Sequence, residues 1–158
     1  MISSDVHVRR AGLADAGTVT GLVAALLSEL SAGQNDTPRA VMLAVAESLL
    51  NGDGPSCTVF LAEDGAGRPL GVATLSEGAC ISTLGRFGTI RELYVTPESR
   101  SAGVGRVLIR AVLDHGRRHR WSRVEVGAPS AAEWPDSLRF YQREGFTEIG
   151  PRLKFRLA

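Results

Sequence analysis

Lysine is almost missing from this sequence: Lys154 stands alone among 18 basic residues, and the rest are arginine. The bias reads as a habit of codon usage or lineage rather than of function. The 18 bases face 17 acids, for a net charge of +1, so charge gives no case for nucleic acid as a partner. Two cysteines, Cys57 and Cys80, cannot build a disulfide framework. The opening MISSDVHVRR lacks a basic-then-apolar leader. No apolar run nears the roughly 20 residues that cross a bilayer. A cytoplasmic protein with no membrane partner is the expectation. Repeats, low-complexity tracts and long linkers are absent too, so residues 1–158 read as a single domain with enough length for a core. The 44% hydrophobic and 22% charged content is the balance of a soluble globular chain.

What is present alternates between two periods. Residues 6-VHVRR-10 alternate like a short strand. Val19, Leu22, Val23, Leu26, Leu27 and Leu30 recur at helical spacing, which predicts a helix over about 14–30. After the loop 31–38, Thr37 as N-cap and Pro38 in the first turn open a second helix with Val41, Met42, Val45 and Leu49 on its apolar face. The runs 58-TVFLAE-63 and 70-LGVATLSE-77 form a hairpin around 64–69, with 78–83 a continuation of the second strand. A turn at 84–88 leads to the strand 89-TIRELYV-95. A helix with Val104, Val107, Leu108, Ala111, Val112 and His115 on one face follows. Then come a strand at 123–128, a helix at 136–144 stopped by Gly145, and one or two final strands over 146–157. This order predicts an α/β domain.

The third helix begins oddly. Its opening, 96-TPESRSAGVGRVLIR-110, holds two glycines and an arginine in the first turn and no acid. Helix N-termini normally attract Asp or Glu, and glycine costs about 1 kcal/mol against alanine inside a helix. Both terms are given up where an anion is to sit: the unpaired N–H groups point at it, and glycine lets it approach the backbone. Arg100 and Arg106 add full charge. A phosphate or pyrophosphate is the inferred ligand. The phosphate loop of nucleotide hydrolases needs Gly-x-x-x-x-Gly-Lys-Ser/Thr, which is not here. The dinucleotide fingerprint needs a small residue where Leu108 stands and a direct strand-to-glycine turn, whereas seven residues separate Val95 from Gly103. Glu125, twenty residues after Gly105, is then a coincidence.

The run 93-LYVTPESRSAGVGRVLI-109 resembles the coenzyme-A signature of the GNAT superfamily of N-acetyltransferases, with Arg100, Gly103 and Gly105 filling the Arg/Gln-x-x-Gly-x-Gly/Ala pattern. A second stretch, 138-LRFYQREGF-146, is similar to the family's closing helix. The resemblance implies a single mixed, mostly antiparallel twisted sheet flanked by helices. It also implies acetyl-CoA as co-substrate, no metal, and a homodimer. It assigns the pyrophosphate to the backbone of Arg100, Ser101, Ala102, Gly103, Val104, Gly105 and Arg106. The amide-rich pantetheine arm, which can add to a sheet edge like a strand, goes to Leu93, Tyr94 and Val95. There the family has a bulge that frees peptide N–H groups, one of them, from Val95, suited to an oxyanion.

The acceptor amine must be neutral to attack, and a lysine-like amine of pKa about 10.4 is neutral in roughly one molecule in a few thousand at pH 7. Glu92 is the candidate base. Period-two alternation puts it on one face with Ile90 and Tyr94, where apolar neighbours raise a carboxylate's pKa. The other reading of Glu92 is an ordinary ion pair with an arginine. Tyr141 matches the family's proton donor to the leaving sulfur; the other reading is a core aromatic. The family's Asn and Ala, seven and four residues before the tyrosine, are here Trp134 and Ser137. Trp134 lines the acceptor pocket or covers the core. His115 and His119 lie one turn apart with no third ligand at a motif spacing, and 117-RRHR-120 reads as a solvated helix end. The first reading is an N-acetyltransferase of a small-molecule amine. The others are a protein N-terminal or lysine acetyltransferase and a non-catalytic CoA-binding sensor.

Overall fold

The computed structural model describes residues 5–157. Five strands form one sheet in the order β1-β2-β3-β4-β5: β1 (His7–Arg10), β2 (Cys57–Glu63), β3 (Pro69–Cys80), β4 (Gly85–Val95) and β5 (Val124–Val126). The first four pair antiparallel as neighbours. The approach to β5 runs parallel to β4, since Ser122 N–H donates to Arg86 C=O and Gly88 N–H to Arg123 C=O. The sheet is therefore mixed, as expected. The helices are α1 (Ala16–Leu30), α2 (Arg39–Asn51), α3 (Val104–Arg118) and α4 (Pro135–Arg143). Two compact units divide the chain between Glu125 and Val126. The first holds β1–β4, α1, α2 and α3, and the second holds α4.

In the first unit the two sheet faces are covered by different helices. Val59, Leu61, Val72 and Tyr94 turn toward Val19 and Leu22 of α1. On the other face Val104, Leu108, Ile109 and Val112 of α3 are buried. Its imidazole His115 meets the Phe60 ring edge-on, with centroids 5.7 Å apart. His119 stacks on His115 at 4.0 Å, and Trp121 closes the group. The two histidines that the sequence sets a turn apart thus pack as aromatic rings. Arg9 ties β1 to both β2 and the start of α1, bonding Glu63 at 2.8 and 3.0 Å and Asp15 at 2.7 and 2.9 Å. The Arg9 guanidinium holds the Asp15 carboxyl down at about 2.

Several expectations need correction. The turn expected at 84–88 lies at 81–84, and β4 starts at Gly85. Thr83 Oγ1 donates within this turn to the carbonyls of Cys80 and Gly85, and Phe87 covers Gly78 across the strand pair. A Gly-x-Phe-Gly run that reads as a turn thereby continues the ladder. Pro38 rather than Thr37 is the N-cap of α2, so the helix starts one residue later than expected. The apolar face of α2 is half open: Val41 and Val45 are exposed and border a groove of about 520 Å³. The 18-residue helical run Leu13–Leu30 comes near a membrane-spanning length, yet it turns Ala16, Val19, Thr20 and Leu22 into the interior. Residues 146–157 contain no strand. Pro151 cannot donate to a ladder, and Leu153 and Phe155 stand fully in solvent.

Gly71 of β3 lies between β4 and α3 with no room for a side chain. A Cβ there would lie 2.7 Å from the Tyr94 carbonyl oxygen and 3.1 Å from Leu108 Cδ1. Backbone cannot yield like a side-chain tip, so the helix or β4 would have to move. Gly71→Ala is expected to lower stability by about 1–3 kcal/mol. The reading is a lower urea midpoint at unchanged m-value; an unchanged midpoint would contradict close packing here.

Candidate active site

β4 delivers the first functional group through an irregularity. Thr74 of β3 pairs with Glu92, but the next residue, Leu75, pairs with Ile90, so Arg91 is an extra residue in β4. This bulge reverses the alternation. Ile90 joins Leu75 on the α3 face, while Glu92 joins Thr74, Val72 and Tyr94 on the α1 face. The expectation that Ile90 and Glu92 share a face is therefore corrected, and the bulge sits at Arg91, before the Leu93–Val95 segment where the resemblance put it. A one-residue insertion shifts every later side chain to the other face, and nothing in the local sequence marks it.

Glu92 is half-buried. The Thr74 hydroxyl donates to Glu92 Oε2 and accepts from the Glu92 backbone N–H at 3.0 Å. Burial pushes the Glu92 carboxyl up, and the charge of Arg91 opposes this. The expected pKa direction holds, although one of the expected neighbours does not cause it. Thr74 escaped the sequence reading because only the strand register reveals it. Cys57 lies close enough to Glu92 for that charge to add to burial in pushing its thiol up. Such a thiol stays protonated, which suits a bystander rather than a nucleophile.

Further along β4, Thr96 N–H donates to Leu70 C=O. Alternation in an antiparallel ladder then turns the N–H groups of Leu93 and Val95 away from β3. The segment that follows makes a short 3-10 turn, Pro97–Ser99, braced by Thr96 Oγ1 to Ser99 Oγ at 3.0 Å. Ser101 and Gly103 both have positive φ, 63° and 85°. Gly103 is the N-cap of α3, which has no side-chain cap and no acid in its first turn. A left-handed residue followed by right-handed Val104 turns consecutive peptide N–H groups into one concavity, an arrangement that binds anions. The first N–H groups of α3 have no partner within the helix. Ser101 and Ala102 complete the turn, and Arg100 approaches from the β4 end, its Nε donating to Val95 C=O at 3.0 Å. These features fit a diphosphate: unpaired donors, a glycine where the turn demands positive φ, and no competing carboxylate in the first turn.

Tyr141 lies in the second unit, on α4, and is buried. Its ring meets Phe140 and Phe146 edge-on at 5.3 and 5.7 Å. Burial pushes its hydroxyl up to about 12. Trp134 is the N-cap residue of the same helix and half-buried. Gly145, at φ 97°, stops the helix as expected. Among the described residues, no three His, Cys, Asp or Glu side chains group as metal ligands would.

The family model described as an acetyltransferase (GNAT) domain matches residues 55–148. No curated relative matches by sequence. Among solved structures, a possible acetyltransferase from Clostridium difficile 630 has a TM-score of 0.81 over 98% of this chain and 99% of that chain, at 13% identity. An aminoglycoside acetyltransferase from an uncultured soil metagenomic sample gives 0.77 over 100% and 99%, at 19% identity. Ribosomal-protein-alanine N-acetyltransferase from Brucella melitensis biovar Abortus 2308 gives 0.73 over 96% and 99%, at 21% identity. At these identities the structures speak for the fold. The family match spans most of the chain and takes in both the glycine-led start of α3 and the tyrosine of α4, so the chain belongs to the GNAT acetyltransferase family.

Proposed function

We propose that this protein is an N-acetyltransferase that moves an acetyl group from acetyl-CoA directly to the primary amine of a small molecule. One observation carries the reading: β4 and the loop after it present, in order, a half-buried carboxylate, an outward peptide N–H and a left-handed glycine at a helix start. Bound acetyl-CoA supplies an acetyl thioester. Backbone amides from Arg100 to Arg106 hold its diphosphate, and Leu93, Tyr94 and Val95 run beside its pantetheine arm.

The residues divide the proton work. Glu92 takes a proton from the acceptor's ammonium, directly or through water, so that the nitrogen lone pair can attack the carbonyl carbon. Its raised pKa makes it a better base than an exposed glutamate. The Val95 N–H faces the carbonyl oxygen as negative charge gathers there. Tyr141 serves the departing sulfur. A phenol held near 12 and a thiol of about 8.5 differ by roughly 5 kcal/mol in proton affinity. Tyr141 therefore acts first by donating a hydrogen bond to the thiolate, and the balance closes when the second proton lost by the nitrogen is delivered to that thiolate, which leaves as the CoA thiol. Trp134 borders the acceptor in this reading.

A thiol-release assay with acetyl-CoA and a panel of amines tests the proposal. Turnover with small amines is expected; turnover with peptides alone would replace the acceptor class, and binding of CoA without any turnover would leave a sensor. Tyr141→Phe is expected to lower kcat by tens- to hundredfold, within the range for acid–base groups, and unchanged turnover would remove Tyr141 from the chemistry. Glu92 works only when ionised, so kcat/KM should fall as pH drops through its raised pKa. Glu92→Gln is expected to erase that acidic limb and to cost about 10²-fold or more in kcat/KM. An intact limb in the variant would assign it to another group.

A further inference from the structure

Arg100, one of the diphosphate-side residues, has a second attachment. Its Nη2 bonds both carboxylate oxygens of Glu29, at 2.7 and 2.8 Å, across 71 residues of sequence. Its guanidinium carbon stands 5.5 Å above the Tyr94 ring centroid. The Tyr94 hydroxyl donates to Glu29 Oε1 at 3.4 Å. Burial, then the charge of Glu29, pushes that hydroxyl up. Three elements meet in this group: the last turn of α1, the end of β4 and the loop that leads into α3. Glu29 is an unusual choice for its position. The C-terminal turn of a helix carries partial negative charge and disfavours an acid, and α1 has no basic residue there to offset it. The carboxylate also lies beside a cradle suited to anions, where it would repel a diphosphate.

We propose that Glu29 couples the two substrate sites by competing with the diphosphate of acetyl-CoA for Arg100. The inference rests on the acetyltransferase reading above. A diphosphate offers Arg100 more charge and the same bidentate geometry as a carboxylate. As Arg100 turns to phosphate, the Glu29 carboxylate loses its cation and becomes a docking group for the ammonium of the acceptor. Tyr94 keeps that carboxylate on the α1 face of β4, two residues from Glu92 and so within about 7 Å of strand. Each substrate then strengthens the binding of the other by the same factor, as linkage requires.

Titration calorimetry with CoA on the wild type, Glu29→Gln, Glu29→Asp, Arg100→Ala and the Glu29→Gln/Arg100→Ala double variant tests the competition. Glu29→Gln is expected to bind CoA about 3- to 10-fold more tightly than the wild type, the size of one partly exposed charge pair. Glu29→Asp should return toward the wild-type value. The gain should vanish when Arg100 is already alanine, and the acceptor KM of Glu29→Gln should rise. Equal or weaker CoA binding by Glu29→Gln, with wild-type binding intact, overturns the competition and leaves the acetyltransferase reading standing. Absence of CoA binding by folded wild type overturns that reading, and this proposal with it.

Discussion

The first peptide N–H groups of α3, for which the helix itself has no acceptor, are the constraint around which the first unit is arranged. A helix beginning on left-handed Gly103 points them into one concavity, and the absence of acid there leaves them uncommitted. The arrangement is locally unfavourable, because glycine and a missing cap both weaken a helix. It is sustained by packing along the helix. Val104, Leu108, Ile109 and Val112 anchor α3 in the core, and Arg117 and Arg118 in its last turn suit the negative end of the dipole. The cradle is thus held by hydrophobic burial along α3 that begins at Val104 itself, together with the Thr96–Ser99 and Arg100–Val95 bonds.

The same division governs β4. Its α3 face is packed closely enough to require glycine at position 71. Its α1 face carries Glu92 and Tyr94, both polar at the tip and half-buried or buried. The bulge at Arg91 creates the difference. Were Arg91 paired in a regular ladder, Glu92 would share the face of Ile90 and enter the core against α3. With the bulge, Glu92 meets the Thr74 hydroxyl and keeps a raised pKa through burial. Fold and proposed chemistry depend here on one inserted residue.

Sequence reading reached the helices, the positions of the five strands and the Gly-x-Gly helix start because each has a local signature: a period, a cap, or a turn residue. It placed α4 to within a residue because Gly145 marks its end. It missed what depends on register. The bulge, the face of Ile90 and the Thr74–Glu92 contact come from how β3 and β4 align, and no residue between 85 and 95 announces that alignment. Glu29 has no local signature, since its meaning comes from Arg100, 71 positions away. The alternation 153-LKFRL-157 predicts a strand by period alone, yet a strand also needs a partner edge, and these residues are exposed. The open face of α2 shows the same limit: helical spacing of Val41 and Val45 predicts a helix correctly but not that the stripe is covered.

The most direct measurement is an amide-resolved NMR titration of the labelled protein with CoA. The account predicts that the backbone N–H signals of Gly103, Val104, Gly105 and Arg106 shift together and downfield, saturating with one equivalent, as donors to a bound diphosphate do. Binding of CoA that leaves those four signals in place, or no binding at all, would contradict it.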